Sequence, residues 1–192
     1  MFVPKILTAC VLSSMFVLGG CQSIQFNQAK TSNVESASMQ LNAASMMKHL
    51  QAFEKIAEEN GGIRAVGTKG GLASAKYIID EAKKAGLQAQ MLPFENREKV
   101  AGQNIFVEIA GQTNESVVLI GAHYDSVKVG PGINDNASGV ALLLDLMHQL
   151  KAEKTKPKHT IVLAFWDSEE TGILPQSHEQ ARLTLFAPGS VY

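Results

Sequence analysis

Val117-Val118-Leu119-Ile120-Gly121-Ala122-His123-Tyr124-Asp125-Ser126 is the stretch on which the fold turns. Four consecutive apolar residues run into a histidine and an acid. A second stretch, Ile161-Val162-Leu163-Ala164-Phe165-Trp166-Asp167-Ser168-Glu169-Glu170, has the same form, an apolar run that ends in acids. Runs that are continuously apolar, rather than alternating, are the pattern of strands covered by helices on both faces. Between them, Ser138 to Lys151 is nearly all apolar through Val140, Ala141, Leu142, Leu143, Leu144, Leu146, Met147 and Leu150, which predicts a buried helix. Strand, helix and strand in this order make a βαβ crossover, and the fold class is α/β.

This topology gathers the polar residues. His123 and Asp125 follow the first strand, Asp135 precedes the crossover helix, and Glu169 and Glu170 follow the second strand. All lie at carboxyl ends, the edge of an open α/β sheet where ligands bind. Imidazole and carboxylate donors without cysteine suit zinc or a similar divalent ion, and a carboxylate such as Asp135 can bridge two ions. Asp125, two residues beyond His123, is placed to accept the other imidazole N–H and fix the ring. Each fragment alone has a plainer reading: a surface histidine, a solvated helix start at Glu169-Glu170, or a turn and N-cap around Asp135. Their order along the chain is what points to a metal site. His49, His148 and His159 read as ordinary helix or loop residues, and the spacing of His178 gives it no ligand role.

Toward the N-terminus, Met47, Leu50, Phe53, Ile56 and Ala57 recur at helical spacing and stop at Gly61-Gly62. A second helix follows Gly70-Gly71, with Ala75, Ile78, Ile79 and Ala82 inward and Gly86 as a left-handed cap. Leu87-Ala89-Met91 and Ile105-Val107-Ile109 alternate, predicting two half-buried strands of a meander.

The 192 residues are 45% hydrophobic, ample for one core, and 17 Lys+Arg against 18 Asp+Glu leave a formal charge of -1. That balance provides no basic field for nucleic acid. Lys5 followed by the apolar Ile6 to Leu18 predicts an export signal over 1–20. Its end, Leu18-Gly19-Gly20-Cys21, resembles the lipobox of bacterial lipoproteins, which implies a lipidated Cys21 and a chain anchored to a membrane, facing the periplasm or cell surface. Residues 21–38, rich in Gln, Asn, Ser and Thr, read as a flexible tether. With Cys10 in the signal and Cys21 lipidated, no disulfide is expected.

Gly121-Ala122-His123-Tyr124-Asp125-Ser126, Gly132-Ile133-Asn134-Asp135-Asn136-Ala137-Ser138-Gly139-Val140 and Phe165-Trp166-Asp167-Ser168-Glu169-Glu170-Thr171-Gly172-Ile173-Leu174 together resemble the M28 zinc aminopeptidases. The similarity starts near Gly61-Gly62-Ile63-Arg64 and Gly67-Thr68, so residues 39–174 are identified as the N-terminal portion of a zinc-exopeptidase fold, a mixed sheet with helices on both faces. The resemblance implies two zinc ions, with His123 on one, Glu170 on the other and Asp135 shared. It further implies Glu169 as general base beside Asp125, substrates that are peptides with a free N-terminus, and a cis peptide bond between Asp135 and Asn136.

The resemblance ends at Leu174, where Pro175-Gln176-Ser177-His178 takes the place of the family pattern, and residues 175–192 read as a divergent tail. A further Asp and a further His ligand that the family carries later have no counterpart before Tyr192. The expectation is a reading frame interrupted by a frameshift or early stop, and an inactive product. Other readings are a non-catalytic lipoprotein remnant or binding module, and an M20-type carboxypeptidase or deacylase, which also uses His-X-Asp and Glu-Glu. The Asn134 to Gly139 segment favours M28 over M20, and the glutaminyl cyclases, with a single zinc, stand third.

Overall fold

The computed structural model describes residues 40–172. The expected signal peptide 1–20, the lipidation site Cys21, the tether 21–38, His178 and the tail 175–192 lie outside the described residues.

Helix α1 spans Ala43–Glu59, and the Asn42 side chain caps it by accepting the N–H groups of Ala44 and Ser45. Its inward face is His49, Phe53 and Ala57, whereas Met47, expected inward, is exposed. Gly61 and Gly62 end it with positive φ of 84° and 82°. Helix α2, Lys69–Lys84, starts under Thr68, whose hydroxyl accepts the Gly71 N–H. The chain before α2 passes so close to its first turn that a Cβ at Gly70 or Gly71 would collide with the carbonyl oxygen of Ile63 or Ala65. At its end Gly86 takes φ 69°, with Gly86 N–H bonded to Lys83 O and Leu87 N–H to Ala82 O, the expected left-handed cap.

Strands β1 (Ala89–Glu95), β2 (Ala101–Ile109), β3 (Thr113–His123) and β4 (His159–Trp166) form one mixed sheet in the order β1-β2-β4-β3. β2 is antiparallel to both β1 and β4, while β3 runs parallel to β4 with His123 opposite Trp166. Helix α3, Ser138–Ala152, joins β3 to β4, so the βαβ crossover and the α/β class stand as read from the two apolar runs. One sheet face, formed by Ile105, Val107, Ile109, Ala122, Leu163 and Phe165, builds the main core with Phe53 of α1, Ile78 of α2 and Leu143, Leu144 and Met147 of α3. The opposite face gathers Phe106, Val162 and Ala164 with Leu92 and Trp166, the Phe106 and Trp166 rings meeting edge to face at 5.3 Å. Helices were expected on both faces; among the described residues all three contribute to the first face and none to the second.

Burial departs from the apolar pattern in two strands, and the sheet order explains both. β2 was expected to be half buried, yet it lies between β1 and β4 and buries Asn104, Ile105, Phe106 and Val107 in succession. β3 was expected to be covered on both faces, yet among the described strands it is the edge, and Val118 and Leu119 stay 44% and 45% exposed. His159, read as a helix or loop residue, instead opens β4, with Nδ1 2.6 Å from the Ser116 hydroxyl.

Candidate metal centre

Parallel pairing of β3 with β4 sets their carboxyl ends side by side, so that His123 closes one strand while Ser168, Glu169 and Glu170 follow the other. The wide turn Ile133–Ala137 leads into α3 and brings Asp135 over the same rim. One donor atom from each of His123, Asp135 and Glu170 lies within 4.8 Å of the others. His123 Nε2 is 3.0 Å from Asp135 Oδ1 and 3.9 Å from Glu169 Oε2. Glu169 stays outside the trio while remaining beside it. The bond between Asp135 and Asn136 is cis, in agreement with the resemblance.

Asp125 is fully buried beneath these groups. Its two oxygens accept the backbone N–H groups of Glu169 and Glu170, each at 3.2 Å, so it anchors the segment that carries both glutamates. His123 Nδ1 lies 3.3 Å from Asp125 Oδ1 but is buried without an aligned hydrogen bond. Asp125 thus faces the ring at ion-pair distance. The turn-and-cap reading of 134–139 applies to the neighbours of Asp135 rather than to Asp135 itself: Asn136 Oδ1 accepts the Gly139 N–H, and the Ser138 hydroxyl donates to Asn134 O.

Electrostatics favours a cation. Burial works against a charged His123, yet Asp125, Asp135 and Glu169 outweigh it and lift the imidazole to about 9. Glu170 is raised, first by partial burial and then by repulsion from Asp135, Asp125 and Glu169, with His123 opposing. Four acids around one histidine leave excess negative charge. A divalent ion would neutralise it, and one imidazole with two carboxylates is a donor set that fits zinc.

Several supporting residues escaped the sequence reading. Arg64 is fully buried, and its guanidinium donates to the carbonyls of Tyr124, Pro131 (2.7 Å) and Gly132 (2.7 Å) while sitting 5.0 Å over the Phe53 ring. It thus clamps both ends of the loop between Asp125 and Asp135. Burial depresses it to about 10, with Asp125 opposing, so it stays charged at neutral pH. Below Glu169, the Asn96 amide donates to Ser168 Oγ and Thr171 Oγ1, and Asp167 accepts the Gln103 and Ser168 N–H groups. Ser168 takes φ 69°, a left-handed conformation unfavourable for a residue with a Cβ, held by that network. An arginine beside a Gly-Gly turn was the one available sign of this scaffold.

Residues 104–182 match Peptidase family M28. Among curated proteins, "Leupeptin-inactivating enzyme 1" of Streptomyces exfoliatus is 33% identical over 131 residues, 68% of this chain and 30% of that protein. "Probable lipoprotein aminopeptidase LpqL" of Mycobacterium tuberculosis is 40% identical over 72 residues, 38% of this chain and 14% of that protein. The chain thus spans less than a third of the length of these relatives. Among solved structures, an Acidobacteriales bacterium glutaminyl cyclase matches with TM-score 0.64 at 19% identity, covering 82% of this chain and 58% of that one. A Zn-dependent exopeptidase from Parabacteroides distasonis matches with TM-score 0.61 at 21% identity, covering 80% and 59%. These structures share the fold.

Proposed function

Given that the chain belongs to Peptidase family M28 over residues 104–182, we propose that its rim serves a zinc-dependent aminopeptidase reaction. The convergence of His123, Asp135 and Glu170 within 4.8 Å, with Glu169 adjacent, carries this reading. His123 would hold one ion and Glu170 a second, with Asp135, whose side chain is 77% exposed, shared between them. A bound ion supplies Lewis acidity to the scissile carbonyl and makes an attacking water more acidic. Glu169 takes the proton from that water and delivers it to the leaving amine, a task suited to a carboxylate that stands beside the ligands and is partly exposed. Asp125 keeps the ligand His123 and the glutamate-bearing segment in register through charge and two backbone hydrogen bonds.

The substrate class follows from relatives named as aminopeptidases: peptides with a free N-terminus. The same relative is named a lipoprotein, which supports export and anchoring through Cys21.

The test uses the untagged full chain loaded with zinc and paired peptides with free and acetylated N-termini. In place of the inactive product expected from the sequence, the proposal expects cleavage of the free peptide alone, and a loss of about 10² to 10⁴-fold in rate for Glu169→Gln with zinc uptake retained. Cleavage that ignores N-acetylation or survives Glu169→Gln overturns it. Zinc bound by the trio without hydrolysis would favour the non-catalytic remnant.

A further inference from the structure

A second group of donors lies among the helices. His49 of α1, Glu81 of α2 and His148 of α3 each place one donor atom within 4.8 Å of the others. Glu81 Oε2 is 3.0 Å from His148 Nε2, and the two imidazole rings lie almost parallel, 6° apart in plane, with centroids 6.2 Å apart. His49 and Glu81 are each 6% exposed, whereas the His148 side chain is 35% exposed and opens the cluster to solvent.

The surroundings are arranged as ligand partners would be. The Tyr77 hydroxyl sits 2.7 Å from His49 Nδ1, which leaves Nε2 as the nitrogen for an ion. Lys84 Nζ holds Glu81 Oε1 at 2.5 Å, which leaves Oε2. Metal-binding histidines and carboxylates characteristically have such a partner on their other polar atom. Protonation agrees as well. Burial lowers His49, outweighing attraction from Glu81 and Asp145, so the ring is neutral. Burial would raise Glu81, but its bonds to Lys84 and His148 bring it below its ordinary value. Neutral imidazole and ionised carboxylate are the metal-binding forms. Two nitrogens and one oxygen are a poor cage for calcium or magnesium, which need more oxygens, and a good one for zinc, cobalt or nickel with water completing the set.

We propose that His49, Glu81 and His148 form a second transition-metal site, independent of the rim, in which one ion ties α1, α2 and α3 together. Because the ligands come from three separate helices, the ion binds the folded chain in preference to the unfolded one and stabilises it.

The test removes the rim first. In the untagged full chain carrying Asp135→Asn and Glu170→Gln, both at exposed or half-buried side chains, cobalt(II) alone is titrated and followed by its visible absorption. The proposal expects one equivalent of four-coordinate cobalt, displaced by zinc, and a rise in melting temperature on binding. Adding His148→Gln should weaken uptake by about a hundredfold and remove that rise, by analogy with the loss of metal-site residues. Metal-free melting of both chains checks that they fold. X-ray absorption of the zinc-loaded rim variant gives a readout that needs no further substitution, and should show two imidazoles on the ion. No cobalt uptake, uptake unchanged by His148→Gln, or fewer than two imidazoles overturns the proposal. The outcome does not depend on whether the rim is a peptidase site, since both of its acidic ligands are replaced and His123 is left there as a lone imidazole.

Discussion

Arg64→Leu is the substitution through which the scaffold of the rim can be weighed. The guanidinium bonds three carbonyls, of which Tyr124 O is buried and Pro131 O and Gly132 O are partly buried. A hydrogen bond to a charged group contributes about 1.5–3 kcal/mol, and an acceptor left buried without a partner costs about 1–3 kcal/mol. Counting Tyr124 O near the top of that range, and the other two near the bottom because water can reach them, gives about 4–5 kcal/mol. Loss of the contact over Phe53 adds on the order of 0.5–1 kcal/mol, and relief from burying a cation offsets a similar amount. The expected net cost is about 4 kcal/mol, or a fall in melting temperature on the order of 10–20 °C for a domain of this size. Arg64→Lys retains the charge but not the planar fork, so it should recover one bond and cost about half as much. Urea and thermal unfolding of the three full chains measure both. If Arg64→Leu lies within about 1 kcal/mol of the parent, or no further from it than Arg64→Lys, the three-carbonyl clamp is not what holds the loop.

Asp125→Asn loses the charge beside His123 and turns an amide toward the Glu169 or Glu170 N–H, so zinc affinity should drop about 10- to 100-fold in a competition titration; a change under about twofold would deny Asp125 its positioning role. Asp167 is pushed up to about 6, chiefly by burial, so its neutral form is the one the fold prefers. Stability from this group is complete below about pH 4 and lost as pH rises through 6, by up to about 3 kcal/mol, and the Asp167→Asn chain should lack that slope, which then shows as the difference between the two stability-against-pH curves. Gly132 has φ 60°, and a Cβ there would stand 2.7 Å from Asp135 O and Ser126 Cβ. Gly132→Ala should therefore cost about 1–3 kcal/mol in urea unfolding and weaken zinc binding by moving Asp135.

How much of this was legible in the sequence depended on how far each contact reaches. His123, Asp135 and Glu170 could be placed because apolar strand runs and the crossover helix fix which ends they occupy, and a βαβ unit brings those ends together whatever the packing details. The Gly86 cap is local and equally readable. Arg64 was quoted only as part of a motif, since its role rests on carbonyls sixty or more positions away that no spacing rule connects. Asn96, bonded to Ser168 and Thr171, was invisible for the same reason. The exchange of burial between β2 and β3 shows a different limit: an apolar run tells that a strand can be covered, while its rank in the sheet decides whether it is. His49 and His148 looked ordinary because each sits alone on its helix, and only the packing of three helices sets them beside Glu81.

If the sheet rim gathers His123, Asp135 and Glu170 around bound metal, anomalous scattering at the zinc edge from crystals of the full chain will locate it there. A peak is expected roughly 2.0–2.2 Å from His123 Nε2 and an Asp135 oxygen, and a second at the same range from Glu170. Zinc-containing crystals with no peak there, and with the three side chains turned away from one another, would contradict it.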